Sequence, residues 1–203
     1  MQNLPFLLIL CKLKACNHQF TMYLMEKLVI LSDLWGKMKS DWLVEYTSIL
    51  KNNFELAYYD CRVLGEIDIH STSEDVIHQQ FINGGIETAV KNLLKKETGK
   101  VNILGFSIGG YIAWKAALEG LKISNLIAVS ATRLRFETIK PDCNIVLIYG
   151  AYDSFQPSID WYNRLELDKI IYADENHDLY TKPENARRIS DLTLKHCVIC
   201  TKT

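Results

Sequence analysis

From Leu28 to Thr203 no run of residues is long and apolar enough to span a bilayer, so nothing in that stretch reads as a membrane span. With 23 basic and 24 acidic side chains the formal net charge is −1, which leaves no basic field for holding nucleic acid. Internal repeats, low-complexity tracts and linkers are missing too, which argues against solenoids and tethered arrays. The 6 cysteines are not spaced as a disulfide framework and, without a convincing export signal, read as reduced thiols. Cys197-Val198-Ile199-Cys200 is a single CxxC; even with His196 beside it, the second ligand pair of a structural metal site is lacking. Cys61, just after a strand-like run, reads as packing.

Leu4 to Cys11 is short and apolar, but no positive charge precedes it and no small-residue cleavage site follows. Residues 1–24 are therefore expected to be an upstream extension, with Met22 or Met25 as the natural start, or else an extra edge strand. Residues 25–203 suit one domain, and a cytoplasmic location is expected.

What the chain does contain, from Leu28 on, is an alternation of apolar strand-like runs with helix-like ones. That is the pattern of a mostly parallel central sheet with helices on both faces. Strands are expected at Leu28 to Leu31, Phe54 to Tyr59, Val101 to Leu104, Asn125 to Ser130, Asn144 to Tyr149 and Lys169 to Ala173. A helix is expected from about Lys39 to Lys51, with Trp42, Leu43, Tyr46, Ile49 and Leu50 on one face. After a polar loop from Asp60 to Ser73, another is expected from about Glu74 to Leu94, kinked or split at Gly84-Gly85. Pro157, and Thr181-x-x-Glu184 with Pro183 inside it, mark the starts of the last two helices.

Between the fourth and fifth strands only Ala131 to Cys143 are available, too few to fold a helical lid over a pocket. An open, shallow site is expected.

The chemistry concentrates at Gly105-Phe106-Ser107-Ile108-Gly109-Gly110, which follows an apolar strand and precedes an Ala-rich helix. A serine hydroxyl is a poor nucleophile unless it is exposed, deprotonated by a neighbouring base and aimed at a carbonyl whose oxyanion is stabilised. The sharp turn meets the first and last needs. Gly105 and Gly109 remove the β-carbons that would collide there, and the helix start offers unpaired N–H groups.

A base and an orienting acid should follow in the order acid, then histidine, each past a strand end. Asp153, in Gly150-Ala151-Tyr152-Asp153, is the acid candidate, and His177, in Asp174-Glu175-Asn176-His177-Asp178, is the base candidate. His196 falls inside a terminal helix. Asp142 precedes its strand and so belongs to the wrong edge of a parallel sheet, while Asp174 and Asp178 lie too close to His177 along the chain.

On the strength of these three stretches the chain resembles the α/β-hydrolase superfamily, as a small member without a lid domain. The resemblance implies oxyanion-hole N–H groups from Leu34, in the loop after the first strand, and from Ile108. Here Ser32-Asp33 stands where that family often carries His-Gly, and Asp33 is expected to bond nearby backbone N–H groups, turned away from the pocket.

The function expected is a serine hydrolase cleaving an ester or thioester through Ser107, His177 and Asp153, with no metal or organic cofactor and a small-molecule acyl substrate. An acyltransferase on the same residues, or a non-catalytic binding module of the same fold, are the alternatives. Trp35, Tyr111, Tyr152 and Phe155 are candidate pocket walls.

Overall fold

The computed structural model describes residues 25–198, so the expectations for residues 1–24 and for Cys200 lie outside the described residues. In chain order the strands and α-helices are β1 (Glu26–Leu31), α1 (Leu43–Leu50), β2 (Phe54–Tyr59), α2 (Cys61–Leu64), α3 (Glu74–Gln80), α4 (Ile86–Lys96), β3 (Val101–Phe106), α5 (Ile108–Leu118), β4 (Ile123–Val129), β5 (Asn144–Gly150), α6 (Ile159–Leu165), β6 (Lys169–Tyr172) and α7 (Pro183–Val198). The 6 strands form one sheet in the order β2-β1-β3-β4-β5-β6. Every neighbouring pair is parallel.

Parallel strands covered on both faces must be apolar on both faces, which is why β3 is buried at every position. Alternate side chains enter different cores. Val29, Leu31, Ile103, Leu126, Ala128 and Leu147 join the helices α3, α4, α5 and α6. Leu28, Ile30, Leu104, Phe106, Ile127 and Ile148 join α1 and α7 on the other side. Burying each such aliphatic side chain contributes roughly 1.5–3 kcal/mol.

The chain runs from β1 outward to β2, then returns across β1 to β3. Strand order therefore reverses between β1 and β3, and sheets of this kind carry their ligand sites beyond the carboxyl ends of the strands at such a point.

The opposite edge of the sheet is held by polar side chains. Asn102 Nδ2 donates to Glu26 Oε2 at 2.8 Å, Asn125 Nδ2 to Asn102 Oδ1 at 2.7 Å, and Asn144 Nδ2 to Asn125 Oδ1 at 3.2 Å. This ladder crosses β1, β3, β4 and β5 near their starts and fixes how the strands stand relative to one another.

Several elements differ from the pattern expected. The helix expected from Lys39 is shorter: a 3-10 turn at Gly36–Lys39 precedes α1. Within the expected loop from Asp60 the chain turns at once into α2, because the Asp60 side chain accepts from the N–H groups of Arg62 and Val63. The split expected at Gly84-Gly85 is present: helices α3 and α4 are separated where Asn83 and Gly84 leave helical geometry, Gly84 at φ 115°. Thr181 does not cap α7. Its hydroxyl donates to Asp178 O at 2.9 Å within a 3-10 turn, and the helix begins at Pro183, whose fixed φ and missing N–H suit a first position. Between β4 and β5 lies only a 3-10 turn at Leu134–Phe136. Among the described residues no helix is long and apolar enough to cross a membrane.

The asparagine ladder makes a graded prediction. Asn125 is 4 % exposed and sits mid-ladder, so Asn125→Leu leaves polar atoms of Asn102 and Asn144 unpaired. The expected loss is about 2 kcal/mol of unfolding free energy in urea, against less than about 0.5 kcal/mol for Asn144→Leu at the exposed end.

Candidate active site

Ser107 occupies the turn between β3 and α5 with φ 50° and ψ −117°, a conformation that L-residues avoid. Its surroundings impose it. Ser107 N donates to Val129 O at 2.9 Å, and Ser107 O accepts from Gly110 N at 3.2 Å and Thr132 N at 3.3 Å. The helix start is pressed against the loop after β1: a β-carbon on Gly109 would lie 2.4 Å from Ser32 O. Glycine is the residue that permits that approach.

His177 arrives on the turn after β6. Gly150 allows this turn to cross the end of β5, since a β-carbon there would lie 2.3 Å from Glu175 O. The Glu175 carboxylate accepts from Lys182 Nζ at 2.7 Å and Asn185 Nδ2 at 2.8 Å, which pins the turn to α7. The lysine contact holds this carboxyl below its ordinary range.

Asp153 follows β5 in a tight turn of its own, with its N–H donating to Gly150 O at 3.1 Å. One carboxylate oxygen, Oδ1, accepts from Phe155 N at 2.9 Å; the other, Oδ2, lies 3.0 Å from His177 Nδ1. The structure thus brings Ser107, His177 and Asp153 into one file, with Ser107 Oγ 3.0 Å from His177 Nε2. The Asp153 side chain is fully buried while that of His177 is 28 % exposed, so the base faces solvent and its partner does not. A carboxylate only accepts; His177 Nδ1 must then carry the proton, leaving Nε2 to accept from the serine hydroxyl.

Neither Leu34 N nor Ile108 N donates a hydrogen bond within the protein among the described residues. Ile108 opens α5, where an N–H has no partner in its own helix. The loop carrying Leu34 is shaped by Asp33 and Asp60. Asp33 Oδ1 accepts from Trp35 N at 2.9 Å, and Asp60 Oδ2 accepts from Lys37 N at 2.8 Å.

Asp33 does bond a nearby N–H, and it is also enclosed. It is 2 % exposed, and its second oxygen accepts from Tyr180 Oη at 3.1 Å. Burial pushes its carboxyl up to about 6, against the pull of the Trp35 N–H and the Tyr180 hydroxyl. The same enclosure raises the Tyr180 hydroxyl well above its ordinary value. The Tyr180 ring packs on Trp42 and Phe106 and stands 6.4 Å from the His177 ring, so it joins the loop after β1 to the turn that carries His177. Sequence reasoning missed Tyr180, 147 residues from its partner. Nothing local marks it out.

The expected walls divide. Phe155 meets His177 edge to face at 4.9 Å between ring centres. Tyr111 donates to Glu137 Oε1 at 2.7 Å, Trp35 lies under Lys39 Nζ at 3.3 Å, and Tyr152 is 66 % exposed. Cys61 is buried, its Sγ 3.0 Å from Ser32 O. His196 lies in α7, apart from this constellation. Among the described residues no group of three or more His, Cys, Asp or Glu stands together as a metal site.

No family model matches the chain. YczH, an uncharacterized protein of Bacillus subtilis (strain 168), is 27% identical over 117 residues, 52% of this chain and 55% of that protein. The chain thus spans about half the length of the curated relative it matches. Among solved structures, a CIB-like hydrolase predicted in Thermoplasma acidophilum gives a TM-score of 0.58 at 20% identity, over 85% of this chain and 88% of that one. Est1E of Butyrivibrio proteoclasticus, solved with ferulic acid bound, gives 0.62 at 12% identity over 87% and 92% of the two chains. A structure from work on carboxylesterases of Nitrososphaera gargenis gives 0.59 at 15% identity over 88% and 92%. These neighbours share the architecture while keeping little of the sequence; with its all-parallel sheet and helices on both faces, this chain has the α/β-hydrolase fold.

Proposed function

We propose that the chain is a serine hydrolase that cleaves a carboxylic ester or thioester through an acyl-enzyme. The observation that carries this reading is the file Ser107 Oγ, His177, Asp153, with 3.0 Å at each link. That the structural neighbours include carboxylesterases supports it.

In this reading His177 Nε2 takes the hydroxyl proton as Ser107 Oγ bonds to the acyl carbon. Asp153 holds the ring with Nδ1 protonated and stabilises the imidazolium that results. The carbonyl oxygen, now negative, is received by the N–H groups of Leu34 and Ile108, with the positive end of α5 behind the second. His177 returns its proton to the departing alcohol or thiol oxygen or sulfur, and the acyl group remains on Ser107. Water then loses a proton to the same Nε2 as its oxygen bonds to the acyl carbon, and the bond to Ser107 Oγ breaks as Nε2 returns that proton to the serine, releasing the acid.

Asp33 sets an electrostatic condition on this cycle. Ionised, it opposes the negative charge gathering at Leu34 N; burial keeps it neutral to a higher pH than an exposed carboxyl, up to about 6.

Ser107→Ala should lower kcat on a p-nitrophenyl ester about a thousandfold or more while leaving the thermal midpoint nearly unchanged. In parallel, a fluorophosphonate should modify Ser107 in the wild type and fail to do so in His177→Ala, read by peptide mass spectrometry. Near-normal turnover by Ser107→Ala would defeat the proposal.

A second prediction concerns pH. The Asp33 carboxyl ionises near 3.8 when unfolded and about 6 when folded, so its stabilising contribution is complete below the first value and is lost as pH rises through the second. The loss is on the order of 2–3 kcal/mol. Between pH 4 and 7 the wild type should therefore lose stability relative to Asp33→Asn, whose amide does not titrate. Parallel thermal-midpoint curves for the two proteins would contradict this assignment.

A further inference from the structure

The segment between β4 and β5 is fastened along its length. Tyr149 Oη donates to Ala131 O at 2.9 Å, Trp161 Nε1 to Glu137 O at 2.8 Å, and Trp114 Nε1 to Ile139 O at 3.2 Å. With Thr132 N on Ser107 O, it lies against the nucleophile turn itself.

Two guanidinium groups are thereby given fixed places beside the site. Arg133 sits in a left-handed backbone conformation, φ 67°, with its guanidinium 5.3 Å from the Phe136 ring and 5.8 Å from the Tyr111 ring. Its Nε is buried and has no hydrogen-bond partner among the described residues. Arg135 lies 4.6 Å from the Phe136 ring and 5.4 Å from the Phe155 ring, and donates from Nη1 to Phe155 O at 3.3 Å. Phe155 is the ring set edge-on against His177. One aromatic ring thus separates Arg135 from the base.

Neither charge is paired directly, although Glu87 and Glu119 line the same cleft as Arg133. Neither arginine comes within 4.0 Å of a carboxylate oxygen among the described residues. The acid nearest along the segment, Glu137, is engaged by the Tyr111 hydroxyl and by Lys115 Nζ at 3.5 Å. Asp153 is turned to His177 and Phe155 N. Aromatic faces orient a guanidinium without consuming its fork of N–H donors, and with one Nη1 bond spent on Phe155 O the rest of the Arg135 fork remains for a planar anion. Holding two cations half-buried without a directly paired counter-charge is costly, and strained backbone is kept where it has a use.

We propose that Arg133 and Arg135 form an anion-recognition subsite, and that the substrates are esters or thioesters whose acyl chain ends in a carboxylate. This rests on the reading of Ser107 as the acylated nucleophile. Selectivity follows from the fixed segment: the carboxylate docks on the guanidinium pair and the ester carbonyl is carried to Ser107.

The test compares mono-p-nitrophenyl glutarate with p-nitrophenyl valerate, matched in chain length and differing in charge, on wild type, Arg135→Met and Arg133→Met. In the wild type the ratio of kcat/KM values should favour the charged ester and fall as salt is raised. In Arg135→Met the ratio should drop about tenfold or more, with a smaller drop in Arg133→Met. Equal ratios in wild type and both variants, with the neutral ester still cleaved, would overturn the subsite and leave the hydrolase reading standing. If the wild type cleaves neither ester, calorimetric titration with glutarate separates the two ideas. Binding that is lost in Arg135→Met keeps the subsite and defeats the hydrolase reading; no binding overturns both.

Discussion

The structure turns on one close approach, that of the first turn of α5 to the loop after β1. Bringing a helix N-terminus so near a neighbouring strand end forces Ser107 into an unfavourable φ and ψ, a strain of order 1–3 kcal/mol. Backbone hydrogen bonds from β4 and from the segment beyond it hold the residue there. The same approach presses the start of α5, where Ile108 N is unpaired, against the loop after β1 that carries Leu34.

The other members of the file depend on that placement but are built separately. His177 and Asp153 come from turns after β6 and β5, and each is fastened by contacts outside the file. Glu175 ties one turn to α7, and Phe155 N ties the acid's carboxylate to its own loop. A 3.0 Å contact between groups on three strand ends also requires those ends to be level. At the far edge the ladder from Glu26 to Asn144 restrains the strands against sliding. Stability is thus invested at one end of the sheet while the chemistry, with its strained serine and half-exposed histidine, stands at the other.

The strands were legible because a parallel strand buried on both faces must be a nearly continuous apolar run, as Val101 to Leu104 and Asn144 to Tyr149 are but for one asparagine each. The residues of the file could be singled out because the elbow has a local sequence and its partners sit just past strand ends. What could not be read were side-chain pairs between distant elements. Asp33 and Tyr180 meet only after the sheet order and the packing of α7 are known, and the asparagine ladder needs the strand register. A weak signal for that ladder did exist: Asn102, Asn125 and Asn144 each interrupt the start of an apolar strand, where an unpaired amide would be costly. The start of α7 was legible from Pro183, which determines where the helix can begin.

In the proposed reaction the charges around the site have opposite effects on different parts of the acyl substrate. Asp33, beside Leu34, opposes the negative oxygen of the intermediate, and Tyr180 Oη partly offsets this by donating to it. The N-terminus of α5 acts in favour of that oxygen. Arg135 lies on the other flank, beyond Phe155, and Arg133 lies against Phe136 and Tyr111. A cation near the oxyanion would help every ester alike, whereas a cation one ring away discriminates by what the acyl chain carries at its end. The position of the two arginines, more than their charge, therefore makes them determinants of selectivity. Among the described residues only a short fastened segment joins β4 and β5, so in the proposed reaction selection falls to groups that are already in place.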